Sequence, residues 1–313
     1  MVHPDEIQKS LDAGRAAGLA ASGGKNADYI PYLASVPSDL FGLAIVTTDG
    51  EVFKSGDADF AFALESISKV FTLALVMEDI GAPAVREKIG ADPTGLPFNS
   101  VMALELHNGK PLSPLVNAGA IATTSLVPGD TADECWAKIL DCQSRFAGRK
   151  MALSDEVNQS EQTTNFHNRG IAWLLFSAGS CYGDPMQAVD IYTRQCSTLV
   201  TTVDLATMGA TLAGDGIHPI TRERVIAAGN AAPVMAEMTI QWLYTYSGDW
   251  AYTVGLPGKS GVGGGILAVV PGVLAIAAFS PPLDPAGNSV RGLSAVAAAA
   301  GALQYNLYEV RKS

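Results

Sequence analysis

The segment Lys259-Ser260-Gly261-Val262-Gly263-Gly264-Gly265-Ile266-Leu267-Ala268-Val269-Val270-Pro271-Gly272-Val273-Leu274-Ala275-Ile276-Ala277-Ala278-Phe279 decides the fold of this chain. No charged residue stands between Lys259 and Asp284, so the stretch must be tested as a membrane span. Its glycines and its Pro271-Gly272 pair break it into Ile266–Val270 and Val273–Phe279. Each run is too short to cross a bilayer as a helix. Pro-Gly between two β-rich runs marks a hairpin turn. The two runs are therefore expected to be central strands with both faces covered.

Toward the N-terminus, residues 5–22 show helical spacing. Phe41–Thr47 and Glu51–Lys54 flank Asp49-Gly50, a strong hairpin signal. Asp59–Leu64 reads as a third short strand. Ser66–Ile80, stopped by Gly81, reads as a helix that is apolar nearly all round and hence buried. From Pro83 to Ile217 the pattern is mostly helical, with loops near Pro93–Phe98, Pro111–Pro114 and Asn158–Asn168. A helix is expected near Val234–Tyr244, strands from Ala251 to Phe279, and a helix over Ser289–Tyr308. Strands thus lie at both ends of the chain and helices in the middle. The fold class is α/β (α+β), an antiparallel sheet from both chain ends flanked by helices, with an inserted helical subdomain. Residues 1–313 are taken as one domain, with an α/β part at about 1–65 and 225–313 and a helical part at about 66–224. The cleft between the parts is the natural site.

The 313 residues are 48% hydrophobic and 16% charged, which fits a compact enzyme-sized domain. A formal net charge of −11 disfavours nucleic acid as a partner. Four cysteines without a C-x-x-C pair and four histidines suit neither a zinc cage nor a disulfide scaffold, and are read as reduced, buried thiols. Met1–Ala21 carries charges throughout and no apolar run, so it is not read as a signal peptide. A cytoplasmic location with no membrane partner is the expectation.

Two short motifs carry chemistry. Ser66-Ile67-Ser68-Lys69 opens the buried helix, and residues three apart share a helix face. Ser66 is then the candidate nucleophile and Lys69 its base. A lysine serves as a base only when neutral, and lowering its pKa by three units takes about 4 kcal/mol, which desolvation can supply. A second S-x-x-K, Ser22 to Lys25, lies in a glycine-rich loop and is read as a loop. Lys259-Ser260-Gly261 fails as a phosphate-binding loop, because that pattern needs glycine at position 253, where threonine stands. It matches the K-[ST]-G element that accompanies S-x-x-K in penicillin-recognising serine enzymes. The glycines permit close backbone approach to a ligand. A backbone N–H there and one at Ser66 would form an oxyanion hole. No S-x-N or Y-x-N tripeptide occurs, so the middle motif of β-lactamases is missing.

At this point the chain resembles the bacterial/mitochondrial-type glutaminase family, which has the serine β-lactamase-like fold. The resemblance runs through Ala27–Pro31, Glu65–Val70, Asp92–Ser100, Pro114–Ala120, Ser160-Glu161, Asn165–Asn168 and Gly255–Gly265. It implies hydrolysis of L-glutamine to L-glutamate and ammonia through a γ-glutamyl ester of Ser66. It implies Lys69 as base, Tyr192 as proton-transfer partner, Lys259 in the catalytic group, and the N–H groups of Ser66 and Val262 as oxyanion hole. Tyr29, Asn117, Glu161, Asn168 and Tyr244 would line the substrate pocket with Ser66, Tyr192 and Val262. Glu161 suits the substrate ammonium, and the amides and tyrosine hydroxyls suit its carboxylate. No metal or organic cofactor is implied, and a homotetramer is. Rival readings are another cytoplasmic serine acyl hydrolase of this fold, or an inactive amino-acid-binding module. One departure stands out: many members of the family carry glutamine before the nucleophile, and here it is Glu65. Facing the site and ionised, it would raise the pKa of Lys69, so it is expected to be turned away or neutralised.

Overall fold

A computed structural model describes residues 2–241 and 247–309. Its main sheet has five antiparallel strands in the order β2-β1-β7-β6-β5. These are β1 (Gly42–Thr47), β2 (Val52–Gly56), β5 (Gly258–Ser260), β6 (Gly265–Val270) and β7 (Leu274–Phe279). β1 and β2 form the hairpin around Asp49-Gly50, with Val46 opposite Val52. β6 and β7 form the Pro271-Gly272 hairpin, with Val270 opposite Leu274. The two hairpins join through β1 and β7, with Ile45 opposite Ile276.

The central strands read as continuous apolar runs because both sheet faces are buried. Successive residues point to opposite faces. Leu43, Ile45, Ile266, Ala268, Ile276 and Ala278 pack toward the helices Pro4–Ala20 and Val290–Ala302. Ala44, Val46, Leu267, Val269, Ala275 and Ala277 face the larger helical core. There the helix Thr202–Ala213 lies against the sheet. The helix Ser68–Ile80 is buried on almost every side within that core, and Gly81, at φ 82°, ends it.

Several elements differ from expectation. The strand expected over 59–64 is only β3 (Phe62–Ala63), paired with β4 (Leu199–Val200) outside the main sheet. The rings of Phe60 and Phe62 stack on Phe279 at 5.5 and 4.2 Å instead of extending a ladder. The loop expected over 158–168 is mostly helical, Asp155–Gln162 and Phe166–Ser177. In the first of these helices only Val157 is buried, so it shows no apolar stripe. Its start is set by Ser154, whose side chain accepts from the Val157 N–H. Residues 251–253 belong to the helix Ser247–Thr253, not to a strand. The helix expected near 234–244 is Ala231–Ile240, and the last one ends at Ala302. Ser22–Lys25 is a loop as expected, and the four cysteines are buried free thiols. Among the described residues no helix is long and apolar enough to cross a membrane.

The terminal helices meet through small residues. A Cβ added at Gly14 would stand 2.8 Å from the Ala295 carbonyl oxygen and 2.9 Å from Leu43 Cδ2. Gly301, in the partner helix, has no such neighbour within 4 Å. Alanine gains about 1 kcal/mol of helix propensity over glycine, whereas overpacking against backbone costs about 1–3 kcal/mol. Gly14→Ala should therefore lower the midpoint of thermal unfolding by a few degrees, and Gly301→Ala should leave it unchanged or raise it. Calorimetric scans of both variants check this, and a stabilised Gly14→Ala would contradict the packing.

Candidate active site

The segment entering the helix Ser68–Ile80 is a tight turn. Glu65 has φ +53°, a left-handed conformation that non-glycine residues seldom adopt. A 3-10 turn, Glu65–Ile67, follows and carries Ser66. Strained backbone of this kind is held only where the surroundings determine it. Here the surroundings are the glycine loop between β5 and β6. A Cβ at Gly263 would fall 2.4 Å from the Ala63 carbonyl oxygen, and one at Gly261 would fall 3.0 Å from that of Leu64. The loop therefore presses backbone to backbone against residues 63–67, and Val262 lies between its two glycines. Among the described residues, the N–H groups of Ser66 and Val262 have no protein acceptor.

Lys69 stands in the first turn of the helix and is 1% exposed. Its Nζ donates to Asn117 Oδ1 at 2.7 Å and to the Leu115 carbonyl at 3.5 Å. Burial pulls its pKa down to about 8, while Cys196 and Glu65 act in the opposite direction. The same Asn117 oxygen accepts from the Tyr192 hydroxyl at 3.3 Å, and Asn117 Nδ2 donates to Asn168 Oδ1 at 2.9 Å. Lys69, Tyr192, Asn117 and Asn168 are thus one network centred on the Asn117 side-chain amide. Ser66 and Lys69 share a helix face, as their spacing predicts, yet the Nζ hydrogen bonds go to Asn117 and Leu115 and none goes to Ser66 Oγ. Lys259 is fully buried at β5, with Nζ donating to the Ser260 carbonyl at 2.8 Å. Burial, and next the neighbouring Lys69, hold its pKa well below the ordinary lysine value.

The other pocket residues approach from separate elements. Ile30, Leu33, Val157, Val262 and Leu283 form a small apolar cluster that pins three of those elements together. A hydrogen bond from the Tyr32 N–H to Ser160 Oγ, 3.1 Å, ties the helix Pro31–Ser35 to Asp155–Gln162, which bears Glu161. Tyr29, on the same segment, is 58% exposed. Asn168 sits in the first turn of Phe166–Ser177. Tyr244 lies outside the described residues.

Glu65 is not turned away: it is 3% exposed, and its side chain packs on the glycine loop. Burial pushes its carboxyl well up, the nearby Glu161 carboxylate and a hydrogen bond to it push the same way, and Lys69 opposes them. Glu161 is raised by burial and pulled back by its hydrogen bond with Glu65. Sequence reasoning left the pairing of Glu65 with Glu161 unseen. It also missed the Leu115 carbonyl on Lys69 and the Phe98 ring, whose centroid is 5.9 Å from Lys69 Nζ. Phe98 stands in one of the quoted motif blocks, the only hint available.

Comparisons with known proteins point to one family. A family model described as "Glutaminase" matches residues 24–308. A Brucella canis protein named "Glutaminase" is 77% identical over 307 residues, covering 98% of this chain and 97% of that protein. "Glutaminase 1" of Shigella flexneri is 63% identical over 309 residues, covering 99% of this chain and all of that one. The solved structure of a "probable glutaminase ybaS" superposes with a TM-score of 0.97 at 62% identity, covering 99% and 100% of the two chains. A "probable glutaminase" of Bacillus subtilis, complexed with 6-diazo-5-oxo-L-norleucine, superposes with a TM-score of 0.88 at 29% identity, covering 98% and 99%. The architecture is the serine β-lactamase-like fold of these structures. With the match spanning nearly the whole chain, the protein belongs to the glutaminase family.

Proposed function

We propose that this chain hydrolyses L-glutamine to L-glutamate and ammonia through an ester on Ser66. The observation that carries the reading is a fully buried lysine, held near pH 8, one turn beyond a serine on a strained turn. Lys69 Nζ takes the Ser66 Oγ proton as Oγ attacks the substrate carboxamide carbon. The oxyanion that forms is held by the N–H groups of Ser66 and Val262. The C–N bond then breaks, and the nitrogen leaves as ammonia with the proton from Lys69, relayed by Tyr192. Water gives a proton to the same pair and cleaves the ester, releasing glutamate and restoring Ser66. Lys259, neutral beside Lys69, keeps a second positive charge out of the site. Glu161 takes the substrate ammonium. Asn168, whose Oδ1 is used by Asn117, turns Nδ2 to the substrate carboxylate beside Tyr29 and Tyr244.

The same reading needs no metal or organic cofactor and no nucleic-acid or membrane partner. It keeps the enzyme cytoplasmic, as a homo-oligomer and specifically a tetramer. It treats 1–313 as one domain whose helical part, about 66–224, closes on an α/β part.

Ammonia release from L-glutamine, run beside L-asparagine and D-glutamine, tests the activity. Ser66→Ala should lower turnover by more than about 10³-fold while calorimetry still shows glutamine binding. Retained turnover would remove Ser66 as nucleophile. A neutral lysine base makes kcat/KM rise with pH, by about tenfold per unit below the Lys69 pKa and level above about 8. A profile flat from pH 6 to 9 would count against Lys69. Asn117→Asp places a carboxylate against Nζ, favours the charged lysine, and should move that rising limb up by roughly one unit or more. An unmoved limb would detach Asn117 from the base.

A further inference from the structure

Glu65 and Glu161 present a chemical problem. Two carboxylates have no proton between them and repel each other, yet these two carboxyls, Glu65 buried and Glu161 half-buried, lie within hydrogen-bonding reach of each other without a nearby cation that offsets both. Each keeps a buried Oε1 that accepts from no N–H or O–H donor among the described residues. Glu65 cannot swing out to water. Its backbone is locked at φ +53°, and its Cβ and Cγ lie 3.3 and 3.2 Å from where Gly261 and Gly263 would carry side chains. It is therefore clamped between the two pieces of backbone that bear the Ser66 and Val262 N–H groups.

We propose that Glu65 holds the one proton of a Glu65–Glu161 acid pair and serves as a positioning residue: it donates to Glu161, leaving that carboxylate charged and aimed for the substrate ammonium, and it keeps a second negative charge away from Lys69. This rests on the roles of Glu161 and Lys69 proposed above. The groups around Glu65 agree with one shared proton. Glu161 faces it from Asp155–Gln162, Lys69 from Ser68–Ile80, and Cys196, whose thiol burial keeps neutral, from Pro185–Cys196. The glycine loop carries no titratable side chain, and Lys259, on the strand before it, faces Lys69. Burial raises both carboxyls, and Glu65, at 3% exposure the more deeply buried of the two, is where an uncompensated charge costs most, which places the proton on Glu65.

Glu65→Gln keeps the shape and makes the donor permanent, whereas Glu65→Ala removes it. Thermal unfolding first establishes that both variants fold. At pH 6, difference infrared spectra of unliganded protein should show a protonated-carboxyl carbonyl band that Glu65→Gln lacks. The buried acid Glu237 is common to both proteins and cancels. For glutamine hydrolysis, KM should rise by about tenfold or more in Glu65→Ala and be rescued to within about threefold by Glu65→Gln. The rising limb of kcat/KM against pH should stay in place, within about 0.3 unit, in Glu65→Gln, because a protonated Glu65 already puts no charge beside Lys69. No lost carbonyl band, a limb moved toward acid by about half a unit or more, or a folded Glu65→Gln as impaired as Glu65→Ala would each overturn the acid pair. A protein inactive on glutamine would instead remove the functional reading, and the infrared band, which needs no turnover, would alone decide for or against the shared proton.

Discussion

Everything in the site depends on enclosing an amine in an apolar helix without leaving it unsatisfied. Desolvating a lysine lowers its pKa only as far as its acceptors allow. The helix Ser68–Ile80 provides the apolar surround, and Asn117 Oδ1 provides a neutral acceptor. A carboxylate in that place would stabilise the charged lysine and leave less of it free to act as a base. An apolar residue would leave buried N–H groups unpaired. A neutral amide does neither, and its other end reaches Asn168. Lys69, the proposed base, and Asn168, a proposed pocket residue, are therefore tied together by one side chain.

The placement of Ser66, the proposed nucleophile, depends on a second constraint, the approach of two backbones. Residues 63–67 and the loop 261–264 are closer than any Cβ permits at Gly263. That contact holds Glu65 in its unfavourable dihedral and brings the loop that carries Val262 against residues 63–67. The main sheet makes this possible. β5 and β6 flank the loop, and β6 is held inside the sheet by the central strand β7. The glycine run is thus the point where the rigid sheet meets the helical half.

Much of this was legible in the residues. The paired apolar runs around Pro271-Gly272 and the hairpin around Asp49-Gly50 specify the sheet, because strands buried on both faces show no polar alternation. Ser66 and Lys69 were found by their spacing, and the glycines of 261–265 by their permissiveness. What escaped had no local signature. The helix Asp155–Gln162 buries only Val157, so no periodicity marks it. Phe60 and Phe62 look like strand residues until Phe279, over two hundred residues away, stacks on them. The partner of Lys69 Nζ, and the left-handed Glu65 facing Glu161, are products of tertiary packing that side-chain type alone does not announce.

The joining of β1 to β7 has a consequence for how the protein is made. Pairings such as Val46 with Ala275 span most of the chain, and contacts so distant in sequence slow folding. At a synthesis rate of about 5–20 residues per second, the first hairpin waits roughly ten to fifty seconds for its neighbour to be translated. During that interval β1 offers an unpaired edge and two bare apolar faces. The closing of the sheet is therefore a late event, which cannot begin before β7 has been made.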